Sequence, residues 1–402
     1  MSRGAPRRPR VREPRGPSRV GERVEVEVGP VAHGGHCVAR IPASGTPAPG
    51  EPGRDRVVFV RHALPGERVV VEITEGGDGD SFWRGDAVEV LQPSSDRVAA
   101  PCPYAHPGGC GGCDFQHVTP SAQRELKTAV VSEQLSRLAG LEVGVTVEVV
   151  PPTLRWRTRM RYVDLPVGRR GLHVHRSKRV VEIDDCLIDA GPNDPGAREA
   201  AVETVATSYG TRELSVAPDG FWQSHLEAPR VLVETVMRGL RAAPGERVLD
   251  LYAGVGLFAA FLADAVGPTG HVVAVEGSRD ACRHARDNLG SGVRVEHGPV
   301  DRVLRTSYDE PFDLVVLDPP REGARRSVVE QIVRRSPRAI AYVACDPAAL
   351  ARDLATFAEL GYSLAELSAF DLFPMTHHVE CVALLEPAHR ASDSRGTHVV
   401  SR

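Results

Sequence analysis

The chain has 402 residues, 42% of them apolar and 25% charged, and a formal net charge of −4; this is the composition of soluble globular domains, with length for two or three. Its apolar segment from Leu251 to Ala263 is bounded by Asp250 and Asp264, too short to span a bilayer, so a membrane helix is excluded. The charge is uneven: residues 1–20 sum to +6, residues 155–179 to +8 and the remainder to −18, a basic front on an acidic body that suits a nucleic-acid partner.

The N-terminal "MSRGAPRRPRVREPRGPSRV" carries seven arginines against one glutamate. It lacks the apolar core of a secretory signal and reads as a disordered basic arm over residues 1–19. Between residues 20 and 93, the runs "RVEVEVG", "RVVFVRHAL", "RVVVEITE" and "DAVEVLQP" alternate with Gly and Pro turns, which predicts a small all-β barrel. The stretch "IPASGTPAPGEPGRD" within it is a loop by composition.

Residues 94–219 are expected to form a central α+β domain. It opens on "PCPYAHPGGCGGCDFQHV", where Cys102, Cys110 and Cys113 crowd into twelve residues. Without an export signal the chain is expected in the reducing cytoplasm, where clustered thiols read as metal or cluster ligands before disulfides. With Cys186 of "VEIDDC" they make four thiolates, a set that suits either zinc or a [4Fe–4S] cluster. A helix follows, with Thr119 at its N-cap, Pro120 at its first position and Gly140 beyond its end; Leu126, Val130, Leu135 and Leu138 form its apolar stripe. In "LRWRTRMRYV", Arg155, Arg157, Arg159 and Arg161 alternate with Leu154, Trp156, Met160 and Tyr162. On a strand this gives one arginine face and one packing face. The face is either a solvated sheet surface or, with Arg169, Arg170, Lys178 and Arg179, a phosphate-binding patch, and four arginines without interspersed acids favour phosphate.

From residue 220 to 387 strands and helices alternate as in an α/β sheet; the tail over 388–402 reads as disordered. In "GERVLDLYAGVGLFAAFLADAVG" a strand ending at Asp250–Tyr252 runs into a glycine loop and then a helix, and the next strand, "HVVAVE", ends in Glu276, placed to accept from ribose hydroxyls. The loop is not a full G-x-G-x-x-G, which points to an adenosine ligand such as S-adenosylmethionine rather than a dinucleotide. The strand of "FDLVVLDPPREG" delivers Asp318 to the same sheet edge, as a crevice residue or a turn acid. "YVACDPAAL" places Cys345 where a buried strand meets a helix start. There it is either a small apolar filler or a nucleophile whose pKa the helix end lowers. In "FDLFPMTHHVECVALLEP" Glu380 and Cys381 face opposite sides of a strand. Glu380 is the costly residue in that apolar strand, serving as a site acid or in a structural salt bridge.

Taken together, "LDLYAGVG", "DPPREG", "YVACDP" and "FPMTHHVE" resemble, in this order, the signature of the S-adenosylmethionine-dependent RNA uridine-5-methyltransferases, over residues 20 to 387. The resemblance implies a Rossmann-like class I methyltransferase domain behind an N-terminal OB-type TRAM barrel that binds RNA. It implies Cys345 as the nucleophile at carbon 6 of uracil, Glu380 as the general base for the carbon 5 proton, and Gln223, Tyr252, Gly254, Glu276 and Asp318 as cofactor-binding residues. It favours a [4Fe–4S] cluster on Cys102, Cys110, Cys113 and Cys186, and ribosomal over transfer RNA as substrate, with no obligate protein partner. Three positions depart from the pattern: Asp346 and His225 stand where the family usually has Asn, and the interval from Cys102 to Cys110 is longer. Cytosine-5 methylation and a non-catalytic RNA-binding role are the rival readings.

Overall fold

The computed structural model describes residues 15–42, 55–191 and 200–388. Most of the basic arm, the Pro-rich loop from 43 to 54 and the tail from 389 lie outside the described residues. The chain forms two compact units, one holding residues up to Leu126 with Met160–Ile188 and Pro374–His377, the other Lys127–Arg159, Asp189–Phe373 and the segment from His378.

In the first unit, β1 (Arg23–Val31), β2 (Cys37–Ile41), β3 (Arg56–Arg61), β4 (Arg68–Glu75) and β5 (Phe82–Gln92) close into a barrel in the order β1-β2-β3-β5-β4. The alternation expected of such strands is visible in β4, where Val69, Val71 and Ile73 are buried and the residues between them are not. The predicted helix is α1 (Pro120–Ala139), with Val130, Val131 and Leu135 buried. After β6 (Val147–Val149), the strands β7 (Val163–Asp164), β8 (Arg170–His173) and β9 (Val180–Glu182) form a small antiparallel sheet.

The arginine-rich segment departs from its expected form. Residues 153–162 include no strand; Arg155 takes a positive φ of 56°. The backbone here bonds to a neighbouring loop, Thr158 N–H to Ser224 O and Leu226 N–H to Trp156 O, so the alternation has no sheet to sort it. Arg159 is half-buried, donating to the carbonyls of Ala217 and Gly220, and Arg157 Nε donates to Arg159 O. Arg155 and Arg161 are exposed.

The second unit carries a hairpin, β10 (Ala201–Thr207) with β11 (Gly210–Val216), and α2 (Ala228–Leu240). Then follow β12 (Arg247–Leu251), α3 (Leu257–Val266), β13 (His271–Glu276), α4 (Arg279–Leu289), β14 (Val293–His297), α5 (Val300–Thr306), β15 (Leu314–Leu317), α6 (Arg325–Arg334), β16 (Ala339–Ala344), α7 (Pro347–Glu359), β17 (Tyr362–Asp371) and β18 (Glu380–Pro387). Eight strands form one sheet in the order β14-β13-β12-β15-β16-β18-β17-β6. β12 to β16 run parallel, and β18 enters antiparallel between β16 and β17.

Both faces of this sheet are covered, which explains the continuous apolar runs "LVVL" and "AIAYVA". One core packs alternate strand residues, among them Val248, Val272, Val316, Val343 and Val382, against α2 and α3. The other takes the intervening residues, Leu249, Val273, Leu317, Tyr342 and Cys381, with α5, α6 and α7.

Candidate active site

The two-residue period of a strand assigns three of the site residues to one face. Asp250 has the parity of Val248, Glu276 that of Val272, and Glu380 that of Val382. Asp250, Glu276 and Glu380 therefore lie on the α2–α3 side, while Asp318 and Cys345 are the first residues beyond the ends of β15 and β16, where the charges of Asp318 and Glu380 both act on the Cys345 thiol. Cys381 falls on the opposite face, wholly buried in the other core. The register pairs Ala344 with Cys381, so the following residue, Cys345, is brought level with Glu380. Phe370 pairs with Glu380 from the other side.

The glycine loop is shaped for close approach. Gly254 has a φ of 57° and open space where a Cβ would stand, and its N–H donates to Glu276 Oε2 at 3.0 Å. Glu276 Oε1 accepts from Ser278 N–H, and each carboxylate oxygen retains a lone pair for a ribose hydroxyl. Tyr252, at a φ of 61°, turns the chain into this loop. Asp250 is buried; its Oδ2 accepts from Ala259 N–H at 2.9 Å in the first turn of α3, while Oδ1 has no partner. Gln223 is buried and its Nε2 donates to Asp318 Oδ2 at 3.1 Å. The open cradle at Gly254, the lone-pair capacity of Glu276 and the unanswered oxygen of Asp250 fit a nucleoside-bearing cofactor.

The electrostatics are those of acids crowded out of water. Burial pushes Asp318 up to about 7, against the Gln223 hydrogen bond that lowers it, and Asp250 to about 7. Glu380 is held well above the carboxylate range by burial and by Asp318. Cys345 is pushed up to about 12 by burial, then by Glu380 and Asp318. This overturns the expectation that the helix end lowers its pKa. The start of α7 is already answered by Asp346, whose Oδ1 accepts from Ala349 N–H at 2.8 Å, and that carboxylate also raises the thiol.

Arg321, which sequence reading passed over inside "DPPREG", is the cation that pulls both Cys345 and Glu380 downward; its Nη2 lies 3.1 Å from His378 Nε2. Asp353 was also missed. Buried on α7, it accepts from Ala324 N–H at 2.7 Å and from Tyr342 Oη–H at 2.7 Å, binding the loop after Asp318 to the helix behind Cys345. An acid within the apolar stripe of "PAALARDLATFAEL" was its signal. His225 is wholly buried, stacked on Trp156 at 5.7 Å. Its Nδ1 accepts from Glu227 N–H and its Nε2–H donates to Pro152 O, both at 3.0 Å, so it fastens the start of α2 and the chain before Trp156.

The cysteine segment lies in the first unit. Cys102, Cys110, Cys113 and Cys186 are in no disulfide among the described residues. Burial and then, among other effects, the charge of Cys186 and Cys110 push Cys113 up to about 12, and Cys102 adds to the rise at Cys110. Gly112 N–H and Gln116 Nε2 point donors at the sulfurs of Cys110 and Cys113, each at 3.4 Å, as suits thiolates. Among the described residues, no three His, Cys, Asp or Glu side chains are drawn together into a metal-holding group, and no helix is long and apolar enough to cross a membrane.

Family comparisons agree with this construction. Residues 17–82 match the TRAM domain, 224–342 the methyltransferase small domain and 300–388 the tRNA (Uracil-5-)-methyltransferase model. An RNA methyltransferase of Streptomyces avermitilis is 45% identical over 92% of this chain and 99% of its own length. The 23S rRNA (uracil(1939)-C(5))-methyltransferase RlmD of Acinetobacter baylyi is 30% identical over 84% of this chain and 90% of its own. Among solved structures, the Pyrococcus abyssi tRNA (uracil-54, C5)-methyltransferase, in complex with S-adenosyl-L-homocysteine, shares the fold with a TM-score of 0.61 at 22% identity, over 86% of this chain and 99% of that one. A TRAM barrel, a class I methyltransferase sheet and full-length relatives of this kind place the chain in the family of S-adenosylmethionine-dependent RNA uracil-5-methyltransferases.

Proposed function

We propose that this protein methylates carbon 5 of a uridine in 23S ribosomal RNA, with Cys345 as nucleophile and Glu380 as general base. The observation that carries this reading is the β16–β18 register, which pairs Ala344 with Cys381 and so brings Cys345 level with Glu380.

Carbon 5 of uracil is a weak nucleophile. Cys345 gives its proton to solvent water and its Sγ adds to carbon 6, the electron pair of the C5–C6 π bond moving onto carbon 5. Bound S-adenosylmethionine supplies the electrophilic methyl group. Glu380 then takes the proton from carbon 5, and the electron pair of that C–H bond restores the ring double bond as the S–C6 bond breaks. Arg321 supports ionisation of both groups. Gln223, Tyr252, Gly254, Glu276 and Asp318 are the residues that would hold the cofactor. Because uracil in a duplex is stacked, the target uridine is extruded or already unpaired.

Ribosomal RNA is preferred because the relative at 30% identity, matched along nearly its whole length, is named for 23S rRNA, whereas the transfer-RNA enzyme shares the fold at 22%. Arg155 and Arg161, both exposed, are proposed to touch the RNA backbone, with Arg157 and Arg159 ordering the segment between them. Cys102, Cys110, Cys113 and Cys186 are proposed to hold a [4Fe–4S] cluster, supported by the charge each link of the set exerts on the next and by the donors aimed at the sulfurs of Cys110 and Cys113. The reading places the protein in the cytoplasm and requires no protein partner.

RNA carrying 5-fluorouridine at the target should be captured covalently on Cys345 when cofactor is present, and Cys345→Ala should abolish the capture. A competent RNA that leaves no adduct would sink the enzymatic reading. Loss of 5-methyluridine from transfer RNA rather than 23S rRNA in a deletion strain would overturn the substrate assignment. Zinc without iron and sulfide in anaerobically purified protein would overturn the cluster.

A further inference from the structure

Gln223, assigned above to the cofactor crevice, sits in a segment that no helix or extended strand holds in place. Residues 217–227 join β11 to α2, and their one piece of sheet pairing is a bridge between Arg157 and His225. Yet the Gln223 side chain has to meet Asp318. Its Nε2 donates to Asp318 Oδ2 at 3.1 Å, near the long end of the range for an N–H···O bond, so a small shift of the backbone loses it.

Residues 156–159 grip this segment along its length. At its start Arg159 donates to the carbonyls of Ala217 and Gly220. At its end Leu226 N–H donates to Trp156 O at 3.0 Å, and the His225 ring stacks on that of Trp156. Between these anchors Thr158 reaches twice. Its N–H donates to Ser224 O at 2.8 Å, and its Oγ1–H donates to Gln223 O at 2.9 Å. Ser224 O lies 3.3 Å from the same hydroxyl but already accepts the N–H, and a hydroxyl has one proton to give. The gripping residues are held in turn, since Ala190 N–H donates to Arg157 O at 3.0 Å. One hydroxyl thus meets the carbonyl of the residue whose side chain meets Asp318.

We infer that Thr158 is a positioning residue of the cofactor site, its hydroxyl fixing the Gln223 backbone so that the side-chain amide reaches Asp318 and S-adenosylmethionine meets an ordered crevice. The inference rests on the assignment of Gln223 and Asp318 to the cofactor made above. Thr158 acts through Gln223 and not on the reacting atoms, so its effect falls on cofactor affinity rather than on methyl transfer.

Thr158→Val keeps the shape and the backbone N–H and removes the hydroxyl, whereas Thr158→Ser keeps the hydroxyl. Calorimetric titration of the full-length protein with S-adenosylmethionine should show affinity about three- to tenfold weaker in Thr158→Val, the effect of one neutral hydrogen bond, and near the wild-type value in Thr158→Ser. In turnover, KM for S-adenosylmethionine should rise by the same factor while kcat at saturating cofactor is kept. In a Gln223→Ala background, Thr158→Val should weaken binding no further, because the hydroxyl acts through the missing side chain. Thr158→Ala serves for the same comparisons if the valine variant does not fold. Wild-type affinity in Thr158→Val, a loss undiminished in the Gln223→Ala background, or a lower kcat with unaltered KM would each overturn the inference. Gln223→Ala without effect on affinity defeats the cofactor assignment itself. An effect of Gln223→Ala with none of Thr158→Val defeats the role of Thr158 alone.

Discussion

Gln223 Nε2 donates to Asp318 Oδ2 across 3.1 Å, so the segment before α2 and the end of β15 share one hydrogen bond at the proposed cofactor crevice. The bond opposes the burial that raises Asp318 to about 7. Replacing Gln223 by Ala removes that opposition and leaves Asp318 protonated to higher pH. The acid limb of S-adenosylmethionine affinity, measured calorimetrically from pH 5 to 9, should move upward by about one unit, the equivalent of a hydrogen bond to a charged group. An unmoved limb would show that Asp318 does not titrate with binding.

Cys345 yields a second prediction. With its thiol at about 12, the thiolate is scarce at neutral pH, and alkylation of Cys345 in the free protein should rise roughly tenfold per pH unit between 7 and 10. Asp346→Asn removes a negative charge that raises the thiol, while Asn caps a helix about as well as Asp. Alkylation should therefore be several-fold faster in this variant at equal pH, with melting temperature almost unchanged. A plateau in the wild type near pH 8 would contradict the carboxylate-rich environment.

Glu380→Gln separates the two catalytic steps. Turnover should fall about 10²–10⁴-fold, yet attack by Cys345 remains available, so an adduct with ordinary uridine RNA should accumulate in the presence of cofactor. Mass spectrometry of the quenched complex decides; loss of turnover without adduct would place Glu380 before the attack.

Much of the site could be read in the sequence because strand ends and side-chain parity are local properties. Glu276, Asp318 and Cys345 each close an apolar run, Asp250 interrupts one, and Glu380 opens one. The arginine segment misled for the same reason: an alternating pattern is evidence for a strand only where a neighbouring strand accepts it, and residues 153–162 bond to a loop instead. Asp353 and Tyr342 meet through the fold, eleven residues apart on α7 and β16, and no spacing rule announces that contact. The Cys345 environment was misjudged because the helix end was local and visible, whereas the acids that outweigh it arrive from β15 and β18.

The arginines now give contrasting expectations. Arg161→Glu alters an exposed residue and should weaken RNA binding, reducing the slope of log affinity against log salt by about one, without lowering the melting temperature. Arg159→Glu strips donors from the carbonyls of Ala217 and Gly220 and should lower the melting temperature. Equal behaviour of the two would deny the distinction.

A buried ion pair fixes the strand next to the base. Lys127 Nζ lies 2.6 Å from Asp371 Oδ1 and donates to Phe373 O at 3.0 Å, with both side chains almost wholly buried. Lys127→Met should cost about 3–5 kcal/mol by urea denaturation, because it strands the carboxylate, whereas Lys127→Met with Asp371→Leu should recover most of the loss. A double variant as unstable as the single one would assign the cost to packing.

The opposed faces of Glu380 and Cys381 also constrain how this protein can change. If β18 slipped by one residue against β16, the carboxylate would enter the dry core and a second thiol would enter the crevice. Point substitutions around the crevice alter one contact at a time, but gaining or losing a single residue just ahead of Val379 exchanges an acid for a sulfur without altering either codon. Length at that junction therefore constrains the crevice more tightly than the identity of most residues that surround it.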